Sequence, residues 1–269
     1  MSTIQQASDT AADGTRYDDM GPVDAPAIVL IHGLGLSRHL WDDHLAALNG
    51  YRVIRYDLYG HGDSGPPPET GSLSVYARQI ADLLNRVCIE RAHIVGFSIG
   101  GMINRRFAMD FPERLLSLVI LNSPHDRGAD AQKLVEERAQ SVRSQGAFAT
   151  FDDALKRWFT PKHLETGAGP RKVRQWREHV DEDSYAQAAW VLAHGVRELV
   201  GTTKNIKVPS LVMTCENDTG STPEMSKKIS EDIRGAQLEI IPNLQHLGLL
   251  EQPEKFTGPI RNFVDEVNL

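Results

Sequence analysis

The 269-residue sequence predicts an α/β fold: a mostly parallel central sheet flanked by helices and interrupted by an all-helical insertion. Three observations predict it. Over roughly the first 123 residues short aliphatic runs alternate with helix-length amphipathic segments, the pattern of βαβ units. From about residue 126 to 205 the chain turns charged and Trp-containing, without strand-like runs. The alternation then resumes and continues to the C-terminus.

Residues 1–15 are polar, include Asp9 and Asp13 and have no apolar core, so they read as a flexible tail and not as a signal or transit peptide. The strand ahead of Pro22 is short, which predicts a reduced first edge of the sheet. Strands are expected at Ala27–Ile31 and Arg52–Tyr56. Residues 74–87 place Val75, Ile80, Leu83, Leu84 and Val87 on one helical face and form a crossover helix. A strand at 93–96, a helix at 102–110 and a strand at Leu115–Leu121 complete the first half. Within the insertion, helical stretches cover 131–145, 151–159 and 184–199. The second half brings a strand at 210–214, a helix near 223–234, a strand at Gln237–Ile241 and a last helix at Glu254–Val267. The expected organisation is therefore a core of residues 16–125 and 206–269 with a helical cap at 126–205.

Composition excludes several function classes. With 36 acidic and 29 basic residues the net charge is −7, and no run of five like charges exists, so no nucleic-acid partner is expected. Aliphatic stretches such as 27–31 and 118–121 fall far short of the roughly 18 residues that span a bilayer, so no membrane partner is expected. The only cysteines are Cys88 and Cys215, with no CxxC, which fits a reducing cytoplasm and argues against a structural metal.

The sharpest chemical feature is Gly96-Phe97-Ser98-Ile99-Gly100-Gly101, set between a strand and a helix. This is the G-x-S-x-G nucleophile elbow in its required context: a sharp turn exposes Ser98, and side chains at 96 and 100 would collide with the adjoining elements. A serine hydroxyl needs a base, and the base needs an orienting carboxylate. In the order Ser, acid, His, the base is His246, which follows the last strand; His32, His61 and His93 precede Ser98. The acid is Asp218, with Glu216 in reserve, because both follow a strand at its carboxyl end. The second glycine cluster, His32-Gly33-Leu34-Gly35, lacks dinucleotide spacing and a Walker Lys. It reads as half of an oxyanion hole in which the backbone N–H of Leu34 joins that of Ile99.

Together these residues resemble the α/β-hydrolase superfamily. The resemblance rests on residues 32–35, on Tyr56-Asp57-Leu58-Tyr59-Gly60-His61-Gly62-Asp63-Ser64, on the elbow, on Glu216-Asn217-Asp218 with Thr222-Pro223, and on His246 ahead of residues 251–256. Within the superfamily the chain is most similar to the 3-oxoadipate enol-lactonase branch, including Arg157-Trp158-Phe159-Thr160-Pro161. Two departures stand out: Cys215 replaces a usual glycine, and Arg105 replaces a usual neutral residue on the nucleophile helix.

The resemblance implies a cofactor-free serine hydrolase with a small-molecule ester or enol-lactone substrate, bearing a carboxylate from aromatic or heterocyclic breakdown. Hydrolysis of a carbon–carbon bond in a diketone-like ring-cleavage product, or of a C–N bond in an enamide, is the alternative. A non-catalytic receptor is a third reading, opposed by intact candidates for all three triad roles. An aspartate would be required at position 98 for a haloalkane dehalogenase or epoxide hydrolase. Because the protein is net negative, an anionic substrate requires a local cation, for which Arg105, Arg127 and Arg157 are the candidates, with Trp158 beside the pocket.

Overall fold

The computed structural model describes residues 4–269. Its strands are β1 (Ile4–Thr10), β2 (Arg16–Pro22), β3 (Ala27–Ile31), β4 (Arg52–Tyr56), β5 (Ala92–Phe97), β6 (Leu115–Leu121), β7 (Ser210–Cys215) and β8 (Gln237–Ile241). They form one sheet in the order β1-β2-β4-β3-β5-β6-β7-β8. Only β2 runs antiparallel to its neighbours β1 and β4, and the remaining pairs are parallel. The helices are α1 (Leu73–Arg86), α2 (Ile99–Asp110), α3 (Gly128–Gln145), α4 (Phe151–Trp158), α5 (Pro161–Thr166), α6 (Ala168–Arg177), α7 (Glu182–His194), α8 (Val196–Leu199), α9 (Pro223–Asp232), α10 (Gly248–Glu251) and α11 (Glu254–Val267). Tight 3-10 turns over Arg38–Leu48 link β3 to β4.

The tail expected over residues 1–15 is corrected for its described part: Ile4–Thr10 is a full edge strand, paired with β2 from Ile4↔Pro22 to Thr10↔Arg16. Residues 1–3 lie outside the described residues. The first edge is therefore not reduced. Although β2 runs over Arg16–Pro22, the strand expected ahead of Pro22 reads as short because its inner positions carry Asp18 and Asp19 where apolar residues would mark it. Their partners stand on β4: Arg55 Nε lies 2.8 Å from Asp18, and Arg52 grips Asp19 through two bonds of 2.9 and 2.7 Å. All four residues are buried, so removing one member would leave an unpaired charge at a cost of about 3–5 kcal/mol.

Central strands are buried on both faces, as parallel strands between helices must be. Side chains alternate strictly: Val29, Ile94, Leu118 and Ile120 join one core, and Leu30, Val95, Val119 and Leu121 the other. The first core is covered by α1 and α2, the second by α11 and the 3-10 segment. Helix α1 starts where Ser72 Oγ accepts the Val75 N–H at 3.2 Å, an N-cap that satisfies a donor the helix itself leaves free. Helices α3 and α7 pack through a small separate cluster of Ala139, Val142, Tyr185, Ala189 and Ala193. Among the described residues no helix is long and apolar enough to cross a membrane.

Candidate active site

Ser98 stands between β5 and α2 with φ 58° and ψ −115°, a conformation outside the ordinary regions for an L-residue. The turn is held by its backbone, since Ser98 N–H donates to Leu121 O of β6 at 2.8 Å. Close packing explains the flanking glycines. A Cβ on Gly96 would overlap Gly100 O, and one on Gly100 would meet Ile31 O at 2.8 Å. Strain and tight packing together push the Ser98 hydroxyl outward at the carboxyl end of the sheet, beside the helix N-terminus.

His246 lies in the loop between β8 and α10 and comes within reach of that hydroxyl: Ser98 Oγ donates to Nε2 over 3.2 Å. On its other side Nδ1–H donates to Asp218 Oδ2 at 2.6 Å. Asp218 follows β7, and its Oδ1 accepts the backbone N–H groups of Gly220 and Ser221, each at 2.9 Å. Burial by itself would raise the Asp218 carboxyl, but the charge and hydrogen bond of His246, with those of Asn122 and Ser221, outweigh it and hold it below the usual carboxylate range. Glu216 is exposed and turned elsewhere, accepting the Asn243 N–H at 2.9 Å. The loop carrying His246 is tied to α4: Leu247 N–H donates to Trp158 O at 2.8 Å, and Gln245 reaches Lys156 O and Arg157 O at 3.1 Å.

The two backbone donors expected for an oxyanion, Leu34 N–H and Ile99 N–H, are both without a backbone partner among the described residues. Ile99 opens α2, where the first N–H groups have no intrahelical partner. The Leu34 loop is braced from below by buried His32, whose Nδ1–H donates to Gly33 O at 2.7 Å while Nε2 accepts the Leu58 N–H at 2.9 Å. Burial pushes His32 down to about 4, so the ring is neutral and its tautomer is set by these two bonds.

Ser98, His246 and Leu34 line a cavity of about 140 Å³ whose opposite wall comes from α3, α4, α6 and α7. Trp158 lines it too, its ring centroid 6.1 Å from that of His246. Of the expected cations, Arg127 and Arg157 line the cavity and Arg105 does not. Arg105 is fully buried behind the elbow, spending Nε on Gly101 O at 2.8 Å and Nη2 on Ser123 Oγ at 3.1 Å and Pro124 O at 2.7 Å. Its place as a substrate ligand is thus corrected: the helix phase turns it toward the β6 end and away from the cavity. Cys215, the other departure, packs against Gly248, and burial pushes its thiol up to about 12, which leaves no thiolate for chemistry.

The sequence reading missed four residues here. Arg138 on α3 and Arg177 on α6 line the cavity as well, and Tyr185 supports Arg177 from 4.4 Å. Asn122, which follows β6, donates Nδ2 to Asp218 at 2.9 Å. The arginines carry no sequence signal that separates them from surface charges. Asn122 had one, a polar residue at the carboxyl end of a parallel strand.

The model of the α/β hydrolase fold family matches residues 26–253. The chain is 31% identical over 255 residues to 3-oxoadipate enol-lactonase 1 of Acinetobacter baylyi, covering 92% of this chain and 91% of that protein. It is 26% identical to (E)-2-((N-methylformamido)methylene)succinate hydrolase of the same organism, over 98% of this chain and 97% of that one. Among solved structures, the enol-lactonase from Burkholderia xenovorans superposes with a TM-score of 0.86 at 28% identity, over 97% of this chain and all of that chain.

Proposed function

The chain belongs to the α/β hydrolase fold family and is a hydrolase, and from that premise we propose that it is a serine hydrolase of a small, carboxylate-bearing ester or enol-lactone. One observation carries the reading: Ser98 Oγ, His246 and Asp218 form an unbroken hydrogen-bonded chain of 3.2 and 2.6 Å along the lining of the cavity. In this reading His246 Nε2 takes the hydroxyl proton as Ser98 Oγ attacks the substrate carbonyl, and Asp218 stabilises the imidazolium. The N–H groups of Leu34 and Ile99 receive the developing oxyanion. His246 then returns the proton to the leaving oxygen, and the acyl group stays on Ser98. A water deprotonated by His246 attacks the acyl-enzyme, and His246 passes that proton to Ser98 Oγ as the ester bond breaks, releasing the acid and the free hydroxyl with no cofactor in the cycle.

The carboxylate part of the reading is supported by Arg127 and Arg157 in the cavity wall and by the enol-lactonases among the relatives. Cleavage of a C–N bond is the second reading, favoured by the similarity to a hydrolase of a methylformamido-methylene succinate. Turnover of p-nitrophenyl esters, enol-lactones, diketones and enamides, measured beside Ser98→Ala, tests both. Enol-lactone or ester turnover that vanishes in the variant is expected. Enamide turnover alone would favour the second reading, and no hydrolysis by the wild type would defeat both.

A further inference from the structure

We infer that the substrate carries two carboxylates, one more than a simple acyl ester or lactone acid supplies, and that Arg138 and Arg157 form the subsite for the second. The inference rests on the hydrolytic reading of the cavity. Four arginines line that small space, Arg127, Arg138, Arg157 and Arg177, and the one acidic residue among the lining residues is Asp218. Asp218 is already committed to His246, Asn122 and two backbone N–H groups.

Elsewhere in the molecule the buried Arg38, Arg52 and Arg55 each pair with an aspartate, and buried Arg105 spends its donors on neutral oxygens of Gly101, Ser123 and Pro124. Among the described residues none of the four cavity arginines has a carboxylate partner within 4.0 Å. They also differ from one another. Arg127 spends its donors on the carboxyl end of α7, reaching Leu192 O at 3.0 Å. Arg177 gives Nη1 to Ala147 O at 2.7 Å, while its buried Nε lacks a partner beside Gly35, where any side chain would overlap the guanidinium. Arg138 and Arg157 are half-buried and make no side-chain hydrogen bond among the described residues.

Like charges gathered around one small cavity repel one another, and a bound counter-charge offsets that cost. Arg138 on α3 and Arg157 on α4 line the same cavity, and burial first and the charge of Arg138 second hold the Arg157 guanidinium below its ordinary value, with Asp153 opposing them. A single carboxylate would leave most of this charge uncompensated. With two, one is held near Ser98 by the Arg127 and Arg177 side of the cavity. The other falls to Arg138 and Arg157, whose planar donor edges match a carboxylate.

Calorimetric titration of the wild-type protein with butanedioate, pentanedioate and hexanedioate, each beside its monoamide, tests the inference without any turnover. At the best chain length the diacid is expected to bind about tenfold or more tightly than the monoamide. Arg138→Gln and Arg157→Gln should each erase most of that preference, and Arg138→Lys should retain part of it. Equal binding of diacid and monoamide at every length, or a preference unchanged by both Gln variants, would overturn the inference. A diacid preference in a protein that hydrolyses nothing would sustain this subsite while defeating the catalytic reading.

Discussion

Asn122 Nδ2 donates to Asp218 Oδ2 at 2.9 Å, the same oxygen that accepts the His246 Nδ1–H at 2.6 Å. Asn122 is held for this contact by a left-handed backbone, φ 45°, and by its own N–H on Met213 O at 2.8 Å. A buried carboxylate keeps its charge only if donors replace the water it has lost. Asn122 is one such donor, and it fixes which way the carboxylate faces.

Asp218→Asn should therefore lower kcat strongly, by about 10⁴, as expected when the imidazole loses its orienting anion. Glu216→Gln should be mild. Asn122→Ala should lower kcat by about tenfold, the worth of one hydrogen bond to a charged group. It should also move the acid limb of the pH profile upward, because a donor that holds Asp218 low has gone. A larger loss from Glu216→Gln than from Asp218→Asn would reassign the acid.

Ser98 sets function against stability. Ser98→Ala should abolish turnover, a loss of about 10⁶ in rate, with the circular dichroism unchanged. Ser98→Gly should be equally inactive yet more stable, by about 1 kcal/mol, because glycine tolerates the φ of 58° that strains serine. Denaturant midpoints of the two variants read this directly, and a glycine variant less stable than the alanine one would count against strain at the elbow.

Arg105 is predicted to act in folding and not in binding. Arg105→Ala removes bonds to Gly101, Ser123 and Pro124 and opens a cavity behind the elbow, so stability should fall by about 2–4 kcal/mol. The KM for an acid substrate should stay within about twofold, since the side chain never reaches the cavity. Comparing KM for an acid and its methyl ester in this variant settles the matter: a selective rise for the acid would restore Arg105 to the site.

Acid should unfold the protein early. His32, His44, His61 and His93 are buried, and desolvation pushes them down to about 4, 4, 3 and 4. In the unfolded chain they titrate near 6.5, so between 6.5 and 4 the unfolded state binds more protons. Their contribution is full above 6.5 and is lost as pH falls toward the folded values, at a cost on the order of 2 kcal/mol per histidine near pH 5. Urea denaturation at neutral pH and near pH 5 measures it. A flat stability across that interval would mean that these rings are not neutral and buried.

The sequence by itself determined what local chemistry can encode. The elbow around Ser98 is legible because a strand, two crowded glycines and a helix start occupy a dozen consecutive residues. The strands with two buried faces are legible because burial on both sides leaves an unbroken aliphatic run. Chain order alone then singled out His246. Only the tertiary structure decided the rest, because it depends on partners far apart along the chain. Asp218 and Glu216 stand two residues apart in one turn, and the turn sends one toward His246 and the other toward Asn243. The strand β1 escaped notice because it is mostly polar, and β2 reads as short because its aspartates, neutralised by Arg52 and Arg55 of β4, hide its length. Arginine by arginine, the cavity was also undecided: the phase of α2 buries Arg105 behind the elbow, while α3, α4 and α6 bring Arg138, Arg157 and Arg177 to the lining of one cavity. A charge's role follows from what it faces, and facing is a property of packed helices that no single stretch of sequence contains.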